Sequence, residues 1–154
     1  MSIQLLIQQF KDTLYGEPWF GQSVYALLDQ VNERYAYEQP NNNSHSLVEL
    51  VYHMYTWADF TLGRIRQEKI ADMGAFEKLD WRKIDQNTHS WNEGLAKFKA
   101  VNNELLALLD TKDDNWLKEK VEYREYDFAY LLNGLIQHNI YHAGQVAYVK
   151  KLLE

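Results

Sequence analysis

The chain has 154 residues, of which 46% are hydrophobic and 14% aromatic, enough apolar side chain for a core and too much for a disordered chain. Its formal net charge is −6, its acidic residues are scattered and its basic residues form no stripe, so neither a nucleic-acid nor a membrane partner is expected. No cysteine is present, which excludes a disulfide, a thiolate metal ligand and a cysteine nucleophile; no apolar run reaches membrane-spanning length, and cytoplasmic residence is expected.

The first periodic segment, IQLLIQQFKDTL at 3–14, predicts an amphipathic helix. In GEPWFG, 16–21, Pro18 between Gly16 and Gly21 breaks the chain. Gln22 or Ser23 opens a short helix through Val31, and Pro40 with the asparagines of NNNS stops it. Ser44 or Ser46 caps a long helix from Leu47 to Gln67, where Leu47, Leu50, Val51, Met54, Trp57, Ala58, Leu62 and Ile65 recur with helical period. Residues 70–87 are mixed, with Met73, Phe76, Leu79 and Trp81 as expected anchors. Thr88 caps a helix to Leu109 whose stripe is Trp91, Leu95, Phe98, Val101, Leu105 and Leu108. Residues 111–125 are charged and irregular, and the alternation in VEYREY reads as a short extended piece. Asp127 then caps a last helix over 128–153. Long helices with short or medium connections predict an all-α four-helix bundle, one domain over 1–154.

The last helix contains QHNIYHAGQ, 137–145, with two histidines one helical turn apart. On a wheel of roughly 100° per residue, His142 lies within the face formed by Phe128, Leu131, Leu135, Val146, Val149 and Leu153, and His138 lies on its shoulder. A buried imidazole needs a hydrogen-bond partner or a metal. On spacing alone, such a pair is more often ordinary core or rim packing than a pair of ligands. His53, at the edge of the apolar face of helix 47–67, offers a third imidazole. Three neutral imidazoles suit zinc or nickel and leave positions open for water or a small molecule. Glu49 stands one turn before His53, as a candidate carboxylate partner for it or as a solvated side chain. Gln145 stands three residues after His142, as a candidate hydrogen-bond partner or as a helix contact. Gly144 reads as room for a neighbouring helix. Trp19, Trp57, Tyr141 and Tyr148 read as cleft or packing aromatics, and His45 and His89, near helix starts, as solvated or capping residues.

HSLVELVYHMYTW at 45–57, joined to GLIQHNIYHAGQVAYVKK at 134–151, resembles the DinB-like superfamily, and GEPWFGQS at 16–23 is similar to the N-terminal loop of one of its branches. The paired signature is Ser-x-x-Glu-x-x-x-His, then His-x-x-x-His-x-Gly-Gln. The resemblance implies a four-helix bundle with up-down-down-up connectivity and one divalent ion held by His53, His138 and His142. It also implies a homodimer and a small-molecule substrate. Some relatives are transferases that use a low-molecular-weight thiol such as bacillithiol or mycothiol, so a thiol activated at the metal is the expected chemistry. A metal-dependent hydrolase of ester or amide bonds and a non-enzymatic, metal-stabilised interaction protein are the alternatives. No general acid or base identifies itself in the sequence.

Overall fold

The computed structural model describes residues 2–154, and they are helical without a named strand. Four long helices carry the fold: α1 (Ile3–Leu14), α3 (Leu47–Ile65), α5 (Trp91–Leu109) and α6 (Phe128–Leu153). Two short ones, α2 (Val24–Asp29) and α4 (Met73–Glu77), lie in the connections. The bundle is all-α, as the periodicity predicts.

Each long helix starts where its sequence supplies a cap or an anchor. At α3, Ser46 Oγ accepts from the Glu49 N–H while the Glu49 carboxylate accepts from the Ser46 N–H at 2.7 Å, a reciprocal capping box. Ser90 caps α5 through the Glu93 N–H, and Asp127 caps α6 through the Tyr130 N–H at 2.8 Å. The Ile3 N–H at the head of α1 donates to Asp114 Oδ1 at 2.7 Å, pinning it to the connection before α6.

Helix α3 is the centre of the molecule. It packs against both α5 and α6, and α1 and α2 cover another part of α6. With neighbours on several sides, α3 is buried nearly all round, from Leu47 through Ile65, and His53 is caught in that burial. Gly94 allows α5 to sit close: a Cβ there would meet the buried Tyr52 ring at 2.6 Å.

Several boundaries differ from expectation. The short helix α2 ends at Asp29, and α3 ends at Ile65, where Gln67 turns left-handed at φ 57°. Ser90, rather than Thr88, is the cap of α5. In segment 70–87 only Met73–Glu77 is helical, and Leu79 and Trp81 are about half exposed. The VEYREY stretch is a turn, because Val121 N–H donates to Tyr126 O at 2.9 Å and Tyr123 is left-handed at φ 65°. That bond closes the segment on itself, leaving one isolated bridge between Lys120 and Asp127. No helix among the described residues is long and apolar enough to cross a membrane.

Candidate metal centre

The packing of α3 on α6 brings His53 against His138 and His142. The Nε2 atoms of His53 and His142 lie 2.9 Å apart, and those of His138 and His53 lie 2.8 Å apart. His53 and His142 are buried and His138 partly so. The three residues form a group whose nitrogens all fall within 4.8 Å of one another.

The far side of two rings is held by the protein. His53 Nδ1 lies 2.7 Å from Asp80 Oδ1, and the same carboxylate oxygen accepts from Trp57 Nε1 at 2.7 Å. Asp80 comes from the loop after α4, which is latched to α3 by Thr56 Oγ1 donating to Leu79 O and Arg82 donating to Thr56 Oγ1. His142 Nδ1 lies 2.5 Å from Gln145 Oε1. His138 Nδ1 is buried without a hydrogen-bond partner. Trp81 stacks at 3.8 Å on both His53 and His45, nearly parallel to each. Two imidazoles cannot share one face of an indole at that distance, so Trp81 is sandwiched between them and roofs the centre.

These partners fix the proton positions. A carboxylate and an amide oxygen only accept, so the protons of His53 and His142 sit on Nδ1. Their Nε2 lone pairs then face each other at 2.9 Å with no hydrogen between them. His138 can donate one Nε2 proton to His53, which still leaves His142 facing an acceptor. Protonation is disfavoured. Burial, with the two neighbouring imidazoles, pushes His138 down to about 3. Burial pushes His142 down to about 4 against the Gln145 bond. Burial also lowers His53, with Asp80 opposing. With His138 as its Nδ1–H tautomer, three neutral rings offer Nε2 acceptors close to one another, a donor set suited to a cation of borderline softness. The residues present fit a divalent ion on this ground.

The structure separates the remaining sequence candidates. Gln145 is at the centre, on His142. Glu49 is not: its carboxylate is spent on Ser46 at the head of α3, and Asp80 takes the place beside His53. Asp80 and Trp81 were not legible as site residues, since they lie in an irregular segment 27 residues beyond His53 with no periodic relation to it. A Cβ at Gly144 would meet nothing within 4 Å, so no helix of this chain uses that glycine for close approach. Tyr141 and Tyr148 are exposed, and Trp19 is fully exposed in its loop. His89 accepts from the Asp85 N–H at 3.1 Å and closes the turn before α5.

A cleft of about 260 Å³ opens beside the histidines, walled by Trp57, Tyr126, Tyr130, Leu131, Leu135 and His138, with Gly134 and Thr61 on its lining. Trp57 thus links cleft and centre, since the carboxylate that holds its indole also holds His53.

Comparison with curated proteins returns no match. Among solved structures, the colibactin self-resistance protein ClbS in complex with double-stranded DNA is similar in fold, with a TM-score of 0.76 and 17% identity over 99% of this chain and 98% of that one. This finding corrects two expectations. The expected transferase using a low-molecular-weight thiol, with hydrolase and interaction-protein alternatives, does not stand: the neighbour is a self-resistance protein in complex with DNA, and no enzyme function is shown. Three imidazoles define an ion's surroundings without defining a reaction, so the chemistry rested on the resemblance alone. The exclusion of nucleic acid is overturned as well, because a chain of this fold is seen with duplex DNA. Net charge and the absence of a basic run in sequence order do not report on phosphate contacts, which single cations and backbone N–H groups from distant segments can assemble. The DinB superfamily model matches residues 20–146, a span that holds all three histidines, and the chain belongs to the DinB superfamily.

Proposed function

We propose that His53, His138 and His142 hold one divalent ion, zinc or nickel, and that the protein is a cytoplasmic, single-domain receptor that captures a small molecule at this ion. The observation that carries the ion is the head-to-head approach of the Nε2 lone pairs of His53 and His142, with their Nδ1 protons committed to Asp80 and Gln145. Without a cation, that contact repels.

Each residue has a defined task. His53, His138 and His142 supply neutral nitrogen donors. Asp80 fixes the tautomer and the plane of His53 and raises its basicity, and Gln145 does the same for His142 with a neutral oxygen. Trp81 and His45 shield the outer side from water. Held by three neutral imidazoles and no protein carboxylate, a divalent ion would keep its double positive charge and supply Lewis acidity toward an anionic donor. Leu131 and Leu135 keep the approach from the cleft apolar.

The test is metal analysis of the purified protein after dialysis against zinc or nickel. One ion per chain, lost in His142→Ala, supports the reading. A wild-type chain that retains no ion, or a His142→Ala protein with unchanged stoichiometry, rejects it.

The likeness to ClbS, a self-resistance protein in complex with double-stranded DNA, supports a second reading, in which this protein contacts duplex DNA. With a formal charge of −6, contact with duplex DNA would rest on few cations and fall away with salt by a shallow slope. Titration of a fluorescent duplex at two salt concentrations tests it, and no binding at low salt removes it.

A further inference from the structure

We propose that the cleft beside His138 seats a planar aromatic molecule that carries an anionic or chelating donor group, the class represented by aryl hydroxamates and aryl carboxylates. The inference rests on the metal reading for the donor end and on the cleft itself for the aromatic end.

The walls argue for the aromatic body. Trp57, Tyr126 and Tyr130 contribute three rings, with Tyr126 and Tyr130 at 4.9 Å between centroids, and Leu131 and Leu135 complete an apolar lining. Flat π faces at this spacing favour an offset or edge-on ring over a flexible chain. The Thr61 hydroxyl donates to Trp57 O at 2.9 Å within α3 and is spent there. Trp57 cannot swing away freely, since Asp80 holds its indole N–H. The volume, about 260 Å³, is at the small end for a ligand site and suits a molecule of one or two rings.

Gly134 supplies the second observation. It lies inside the 26-residue helix α6, where a glycine costs about 1 kcal/mol relative to alanine. A Cβ built there meets nothing within 4 Å, so no contact in the chain requires its absence. Gly94 shows the contrast, with the Tyr52 ring filling the space a Cβ would take. The gap at Gly134 opens into the cleft, and it lets a flat ring lie against the backbone of α6 one turn before His138. A ligand so placed has its polar end toward His138, the imidazole that lines the cleft.

The experiment uses the full chain loaded with zinc, its metal content measured first, in wild type and in Gly134→Leu. The leucine fills the cleft from its own wall and raises helix propensity, so the variant should melt at the same or a higher temperature. Calorimetric titration with benzohydroxamate and acetohydroxamate, which share the chelating group, isolates the ring. Wild type should prefer benzohydroxamate by about tenfold or more, from burial of the phenyl group. Gly134→Leu should keep its metal and its acetohydroxamate affinity while losing that preference. Equal affinity for the two probes in wild type, or an unchanged preference in Gly134→Leu, overturns the proposal. A chain without zinc fails the metal reading, which the stoichiometry reports separately. The seat is then read with benzamide, which has no useful metal affinity, by amide NMR shifts. Shifts at Tyr130, Gly134 and Leu135 that vanish in Gly134→Leu support it, and their absence in wild type overturns it.

Discussion

Asp80→Ala is the most informative single change at the centre. Asp80 Oδ1 accepts from His53 Nδ1 and from Trp57 Nε1, each at 2.7 Å. Removing the carboxylate leaves His53 Nδ1 only the backbone oxygen of residue 80, at 3.3 Å, so the tautomer and the plane of the ring are held less firmly. Loss of such an outer partner costs about 10–100-fold in metal affinity, roughly 1.4–2.7 kcal/mol. The Trp57 bond is lost in both the metal-free and metal-bound protein, so it lowers stability and cancels from the affinity. Asp80→Asn should fall between alanine and wild type, because its amide oxygen still accepts but without the charge. Asp80 is partly exposed, which argues for the lower half of the range with alanine and under tenfold with asparagine. Affinity is measured by competition with a chromogenic chelator at pH 7.5, and folding by thermal melting. An Asp80→Ala protein that melts cooperatively and binds zinc within a factor of about two of wild type would refute the role assigned to this carboxylate.

The metal-free protein should lose stability as pH falls from about 6.5, because His138 and His142, held down to about 3 and about 4, stay neutral when folded while the unfolded chain takes up protons. The stabilisation is complete above the unfolded value and declines by up to roughly 1.4 kcal/mol per pH unit for each histidine. Melts in chelator from pH 7 to 4.5 should show a steeper decline for wild type than for a His138→Gln/His142→Gln protein, and parallel curves would refute the burial argument. Gly94→Ala should destabilise by about 1–3 kcal/mol, since the new methyl meets Tyr52 at 2.6 Å, and an unchanged urea midpoint would contradict this packing. Ser46→Ala removes the cap of α3 and should cost about 1 kcal/mol in urea unfolding with metal affinity unaltered. An equal loss in metal affinity would mean that the Ser46–Glu49 pair does act on His53.

The sequence by itself determined the long helices and singled out three candidate donors. The apolar period in 3–14, in 47–67, between Thr88 and Leu109 and in 128–153 left few alternatives, because an apolar stripe at that spacing can be buried only as a helix. Asp127 was legible as a cap, and Ser46 as one of two candidates with Ser44, because capping is local chemistry within a few residues. His138 and His142 declared a shared face by their spacing, and the paired signature added His53. What surrounds them was decided by tertiary packing. Glu49 stood one turn from His53 as a candidate partner or a solvated side chain, yet the N-cap of α3 at Ser46, three residues before it, takes the carboxylate. Asp80 and Trp81 come from a segment with no period to read, and only the latch of that segment onto Thr56 and Trp57 carries them to the centre. Gly144 and Gly134 look alike in sequence, and neither meets a packed neighbour, but only Gly134 opens into a cleft, because what fills the space beside a glycine depends on a second helix. Burial of the imidazoles, and with it their neutrality, likewise follows from α3 meeting α6, an event that no single segment encodes.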